Sequence, residues 1–180
     1  MTYRLFFAIW PDSRIQKQIE RVLSRYEWPR NTKFILPQNW HVTLNFLGSS
    51  TEIEYQNLVT QIPFIEIPSF ILTLDKLEYW PKQQLLMLVP SLIPSPLIDL
   101  HKKISQLLIK QNWTIEKRDY EPHLTLARNL SSDYVLQKME LGPLDFPLEC
   151  WVREFCLADT SLRDAGKMQN YQILKHWKLN

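Results

Sequence analysis

Two stretches decide how this chain folds: Trp40-His41-Val42-Thr43-Leu44-Asn45-Phe46 and His123-Leu124-Thr125-Leu126-Ala127-Arg128. Apolar and polar residues alternate in them at the strand period of two. In the first, Trp40, Val42, Leu44 and Phe46 fall on one side of a strand and His41, Thr43 and Asn45 on the other. His at i and Thr at i+2 therefore point the same way, with Cα atoms roughly 6.6 Å apart. An imidazole and a hydroxyl so placed can touch one tetrahedral anion together. A lone His-x-Thr is a weak motif, but two of the four histidines carry it, each with an apolar residue between and Leu after.

Around these strands the chain punctuates itself. Residues 3–9 read as a buried strand ended by Pro11. Asp12 or Ser13 then caps a helix carrying Ile15, Ile19, Val22, Leu23 and Tyr26 on one face, closed by Pro29 and Asn31. Gly48-Ser49-Ser50 is expected to turn the chain into a short helix around 52–60. Strands near 69–77 and 84–89 flank the turn Trp80-Pro81-Lys82-Gln83, and Ser95-Pro96 opens a helix with Leu97, Leu100, Ile104, Leu107 and Leu108 in one stripe. Strands at about 151–159 and 170–178 finish the chain. The two His strands hold corresponding places in the two halves, and no low-complexity stretch marks the midpoint. The expected fold is α+β, a single bilobal domain over 1–180. Its two pseudo-symmetric lobes would each be a mainly antiparallel sheet with helices on the outside, facing a central cleft.

That pairing has a chemical logic. Imidazole, with an ordinary pKa near 6.5, keeps both protonation states within reach of neutrality. One histidine can take a proton from an attacking water while the other gives one to a departing oxygen. The hydroxyls of Thr43 and Thr125 can donate to non-bridging phosphate oxygens. The arrangement points to a phosphate-processing site that needs no metal, no cofactor and no nucleophilic Ser or Cys. Ideal strand parity puts Asn45 on the cleft face and Arg128 off it. A twisted or bulged strand end would return Arg128 to the phosphate, where a cation offsets developing negative charge. Phe7 is a candidate to stack a base, although the core is the favoured place for Phe6, Phe7 and Trp40. His101, beside Lys102-Lys103, is expected on a solvated helix face, and His176 in a structural role.

Composition bounds the rest. Of 180 residues, 45% are hydrophobic and 22% charged, which argues for a packed globular chain. A net charge of +2 argues against a protein held to long nucleic acid chiefly by a basic surface, but not against capture of one phosphate or RNA end in a cleft. Cys150 and Cys156 have neither a CxxC nor a zinc-finger spacing and are expected as buried thiols in a reducing compartment. The N-terminus lacks a signal-peptide pattern and no apolar run approaches the ~20 residues of a membrane span. A cytoplasmic protein with no membrane association and no obligate protein partner is the expectation.

The segments Arg4-Leu5-Phe6-Phe7-Ala8-Ile9, Asn39-Trp40-His41-Val42-Thr43-Leu44-Asn45-Phe46-Leu47-Gly48 and Pro122-His123-Leu124-Thr125-Leu126-Ala127-Arg128 resemble the 2H phosphoesterase superfamily. Within it they are most similar to the RNA 2′,3′-cyclic phosphodiesterases once called 2′-5′ RNA ligases. The resemblance implies hydrolysis of an RNA-terminal or nucleoside 2′,3′-cyclic phosphate to a 2′-phosphomonoester. It implies His41 as proton donor, His123 as proton acceptor, Thr43 and Thr125 on the phosphate, and Arg128 assisting. The residues themselves leave donor and acceptor symmetric. Glu121 before Pro122, and Lys167 in the tail Ser161-Leu162-Arg163-Asp164-Ala165-Gly166-Lys167, depart from the family pattern and bear on how RNA beyond the last nucleotide is held. Alternatives are a cyclic phosphate of ADP-ribose or a 2′-5′ linked oligonucleotide as substrate, or a module that captures RNA ends without turnover.

Overall fold

The structure, a computed structural model, describes residues 2–62, 65–116, 118–160 and 171–180. The strands are β1 (Thr2–Ile9), β2 (Lys33–Phe34), β3 (Val42–Thr51), β4 (Phe70–Trp80), β5 (Leu85–Val89), β6 (Leu124–Arg128), β7 (Gly142–Val152), β8 (Glu154–Asp159) and β9 (Gln172–Lys178). The helices are α1 (Ser13–Leu23), α2 (Glu52–Gln61), α3 (Ser95–Lys110) and α4 (Ser132–Lys138). All strand pairs are antiparallel, in the order β7-β4-β5-β6-β3-β1-β8-β9, with β2 alongside β6. Two four-stranded halves thus meet between β6 and β3, which is the α+β arrangement of two similar lobes.

The join is narrow. Val42 opposite Leu124 is the one pair in the β3/β6 ladder, and the strands diverge beyond it. Helices brace the seam by crossing it. The Ile15, Ile19 and Val22 stripe of α1 is buried, and α1, which follows β1, packs on β7 of the other half. α3, which follows β5, lies against β3 as well as β4. One hydrophobic core, with Phe7, Trp40, Val42, Leu100 and Leu124 among its members, therefore runs behind both halves. The opposite face of the sheet stays open at the seam.

Local chemistry explains where the elements differ from expectation. β3 does not stop at Gly48-Ser49-Ser50; it runs on to Thr51 through a bulge between Leu5 and Phe6 of its partner. Gly48 has φ of 81° there, a conformation that a Cβ would oppose. α2 then begins at once, through a capping box in which Thr51 and Glu54 satisfy each other's backbone N–H. The strand expected at about 151–159 is in fact two, β7 and β8. Pro143 and Pro147 disguised β7, but it is an edge strand, where a missing N–H need cost no ladder bond. The short α4, capped by the Ser131 side chain, was not anticipated. Among the described residues no helix is long and apolar enough to cross a membrane.

Candidate active site

The antiparallel pair Val42/Leu124 sets His41 on the side of Thr125 and Thr43 on the side of His123. Val42 and Leu124 point into the core, so the four flanking side chains point to the open face. There they line one cleft of about 200 Å³. Each histidine thus stands across from the other motif's threonine, and the imidazoles occupy opposite corners.

Both rings are held in the same way. His41 Nδ1–H donates to the carbonyl of Asn39 at 2.7 Å, and His123 Nδ1–H to the carbonyl of Glu121 at 2.8 Å. A carbonyl can only accept, so Nδ1 carries the hydrogen in each ring and Nε2 is left as the atom that exchanges protons. The surroundings differ, however. His41 is stacked by Trp10 (4.9 Å) and flanked by Phe6 (4.9 Å) and the edge of Tyr171 (5.3 Å), whereas His123 has Trp80 at 5.0 Å. Burial, reinforced by the nearby charges of His123 and Arg128, lowers the His41 pKa to about 4 against the pull of the Asn39 carbonyl. Burial also lowers that of His123. Both rings are neutral at pH 7.

A shared irregularity decides which other residues join them. In β3, Phe7 pairs with Asn45 and Ala8 with Thr43, so Leu44 is an extra residue. In β6, Leu86 pairs with Ala127 and Met87 with Thr125, so Leu126 is extra. Each motif therefore ends in a bulge at its Leu, and side-chain parity inverts beyond it. Arg128 is brought onto the cleft face by this device. The same device overturns the placement of Asn45, which is 6% exposed on the core side and donates through Nδ2 to Ser105 Oγ of α3 at 2.8 Å. Phe46, not Asn45, faces the cleft, and Arg4 lies over its ring at 5.2 Å.

Phe7 is also corrected. Its partner Asn45 is on the core side, and Phe7 is fully buried against Phe155 and Trp177. Phe6 is the aromatic residue of β1 that reaches the cleft. His101 is not solvated on a polar helix face: it is half-buried, stacked on Tyr120 at 4.1 Å, with Nδ1–H donating to the Leu44 carbonyl. His176 lies at the surface, paired with Glu154. Cys150 and Cys156 are buried free thiols, their pKa values pushed up to about 12 by burial. Lys167 lies outside the described residues.

Sequence symmetry alone could have found Phe46. It stands five residues after His41, as Arg128 stands five after His123, so a bulge invoked for one strand applies to the other.

Comparison with known proteins gives a consistent result. The family model described as "2'-5' RNA ligase superfamily" matches residues 6–164. The RNA 2′,3′-cyclic phosphodiesterase of Escherichia coli strain K12 is 29% identical over 176 residues, covering 98% of this chain and 96% of the relative. The protein of the same description from Bacillus subtilis strain 168 is 30% identical over 107 residues, covering 56% and 57%. Among solved structures, E. coli LigT complexed with 3′-AMP superposes with a TM-score of 0.87 at 28% identity, over 99% of each chain.

Proposed function

The chain belongs to the 2′-5′ RNA ligase superfamily, and on that premise we propose that it hydrolyses a ribose 2′,3′-cyclic phosphate to a 2′-phosphomonoester. The substrate is an RNA end or a small cyclic nucleotide, and His41 and His123 act as a metal-free acid–base pair. One observation carries this reading: two imidazoles, each with Nδ1 committed to a backbone carbonyl, offer Nε2 to one cleft beside two threonine hydroxyls.

In the proposed reaction His123 Nε2 takes the proton of a water that attacks phosphorus. His41 Nε2 gives a proton to O3′ as the P–O3′ bond breaks. Thr43 and Thr125 donate hydrogen bonds to the non-bridging oxygens, and Arg128 offsets their charge. This division of roles follows the resemblance to the RNA 2′,3′-cyclic phosphodiesterases, since both rings are held alike. Burial lowers the proton affinity of both rings, that of His41 to about 4, so the unliganded site takes up a proton only at acid pH. The arriving cyclic phosphate anion raises both proton affinities and so favours the protonated donor. Phe46 presents an aromatic ring on which the terminal base stacks.

The deciding experiment incubates the protein with a short RNA ending in a 2′,3′-cyclic phosphate and identifies the product. A 2′-phosphate formed in the presence of EDTA is expected. A 3′-phosphate, or loss of activity with the chelator, contradicts the proposal, and tight binding without product assigns the chain to RNA-end capture.

The pH dependence has a definite sign. The productive free enzyme is singly protonated, and both imidazole pKa values lie below 6.5, so that form accumulates only as pH falls below 6.5. The expected kcat/KM therefore peaks on the acid side of neutrality and declines about tenfold per unit at higher pH. A profile flat from pH 6 to 9 contradicts it.

A further inference from the structure

A bulge leaves carbonyls that no ladder satisfies, and buried carbonyls need donors. At the second motif the main chain supplies one: Ile35 N–H donates to the Leu126 carbonyl at 2.9 Å. At the first motif side chains do this work. His101 of α3 donates to the Leu44 carbonyl at 2.8 Å, and the Tyr120 hydroxyl donates to the Thr43 carbonyl at 3.1 Å. The two rings are stacked nearly parallel, 4.1 Å apart at 4°. One turn along α3, Ser105 accepts from Asn45. Three successive residues of β3 are thus pinned from outside the sheet.

The pair also reaches the second motif. Tyr120 directly precedes Glu121, whose carbonyl sets the His123 ring. Both rings border a cavity shared with Thr43 and His123. The contact therefore spans the seam where β3 and β6 keep a single pair.

We propose that His101 and Tyr120 form a clamp that holds the Leu44 bulge and thereby fixes Thr43 and His123 relative to one another. They are positioning residues for the hydrolysis, and this assignment rests on the function proposed above. Neither side chain is asked to touch substrate; both act on the backbone that carries the groups that do.

Three conservative variants test it. Tyr120→Phe removes one hydroxyl and keeps the stack. His101→Phe keeps a stacked ring and loses the donor. His101→Asn restores an N–H donor at the same position along the side chain. In the first two, kcat on a nucleoside 2′,3′-cyclic phosphate is expected to fall roughly ten- to a hundredfold, the scale of a small misplacement of reacting groups. KM should stay within about twofold, the pattern left when only alignment in the transition state is lost. His101→Asn should recover most of kcat, and the double variant Tyr120→Phe/His101→Phe should be no worse than the poorer single, since both act on one bulge.

A purely structural role would lower Tm and leave kcat of the folded protein unchanged. If both variants keep kcat within about twofold of the parent at a temperature where they are folded, the clamp is overturned. A second readout separates this from failure of the proposed function. The ring-nitrogen NMR signals of His123 should move in Tyr120→Phe even if the parent turns over no cyclic phosphate. Unchanged signals overturn the clamp on their own.

Discussion

Replacing His123 by alanine is expected to lower turnover of a nucleoside 2′,3′-cyclic phosphate by about 10²–10⁴-fold, the range that general acid–base groups supply. His41→Ala is expected to have an effect of the same order. Each removes one of the two proposed proton-transfer groups that share the cleft, and no other imidazole is placed to substitute. His101 is committed to the Leu44 carbonyl and to Tyr120, and His176 lies at the surface against Glu154. The combined variant should lose little beyond the poorer single, because a proton relay with one end missing is already broken. His123→Ala is the cleaner of the two for structure. Its ring has one aromatic neighbour, Trp80, whereas that of His41 is packed among Trp10, Phe6 and Tyr171. His41→Asn, which keeps an N–H donor for Asn39, is the matched control at that position. Initial rates on a cyclic mononucleotide, with circular dichroism to show an intact fold, check the result. Full activity in either variant sinks the proposed mechanism.

Phe7→Ala is expected to do the opposite, lowering stability by about 3–5 kcal/mol, the usual cost of deleting a buried phenyl ring. The ring is wholly buried and packs on Phe155 and Trp177, centroids 6.1 and 5.7 Å away, in the half formed by β3, β1, β8 and β9. Urea denaturation gives the stability change. The kcat of the remaining folded fraction should stay close to that of the parent. A ring that stacked the substrate base would give the reverse pattern, with KM raised and the denaturation midpoint unmoved.

The contrast between Phe7 and Phe46 shows how far the sequence could be read. A period of two is legible wherever a strand is regular, and it placed His41, Thr43, His123 and Thr125 on one face. It fails at an inserted residue, because one extra position inverts every side chain beyond it. Leu44 and Leu126 are ordinary apolar residues in apolar slots, and nothing in their identity marks them as bulged. The signal lay in the functional demand itself: a cation wanted at Arg128 required a bulge in β6, and the parallel motif required the same in β3. Carrying that inference across would have exchanged Asn45 for Phe46. The clamp was hidden for another reason. His101 sits in a helix between Leu100 and Lys102, and its partners Leu44 and Tyr120 are remote in sequence. Helical periodicity reports which side of α3 is polar, but not that part of that side is covered by another segment. β7 was concealed by Pro143 and Pro147, whose usual meaning as strand breakers lapses at an edge.

The seam at Val42/Leu124 has a mechanical meaning. A sheet joined through one pair of residues gains little stiffness from its own ladder there, since each backbone hydrogen bond contributes only ~0.5–1.5 kcal/mol net, and α1, α3 and the shared core supply the rest. The long ladders β1/β3 and β4/β7 make each half a rigid plate by comparison. His41 and Thr43 ride on one plate, His123 and Thr125 on the other. The span between the two imidazoles is therefore set by the helices and core that lock the plates together, while each ring's tilt is set by its own local carbonyl. The distance between the two imidazoles is thus a property of the packing behind the sheet and not of the sheet itself.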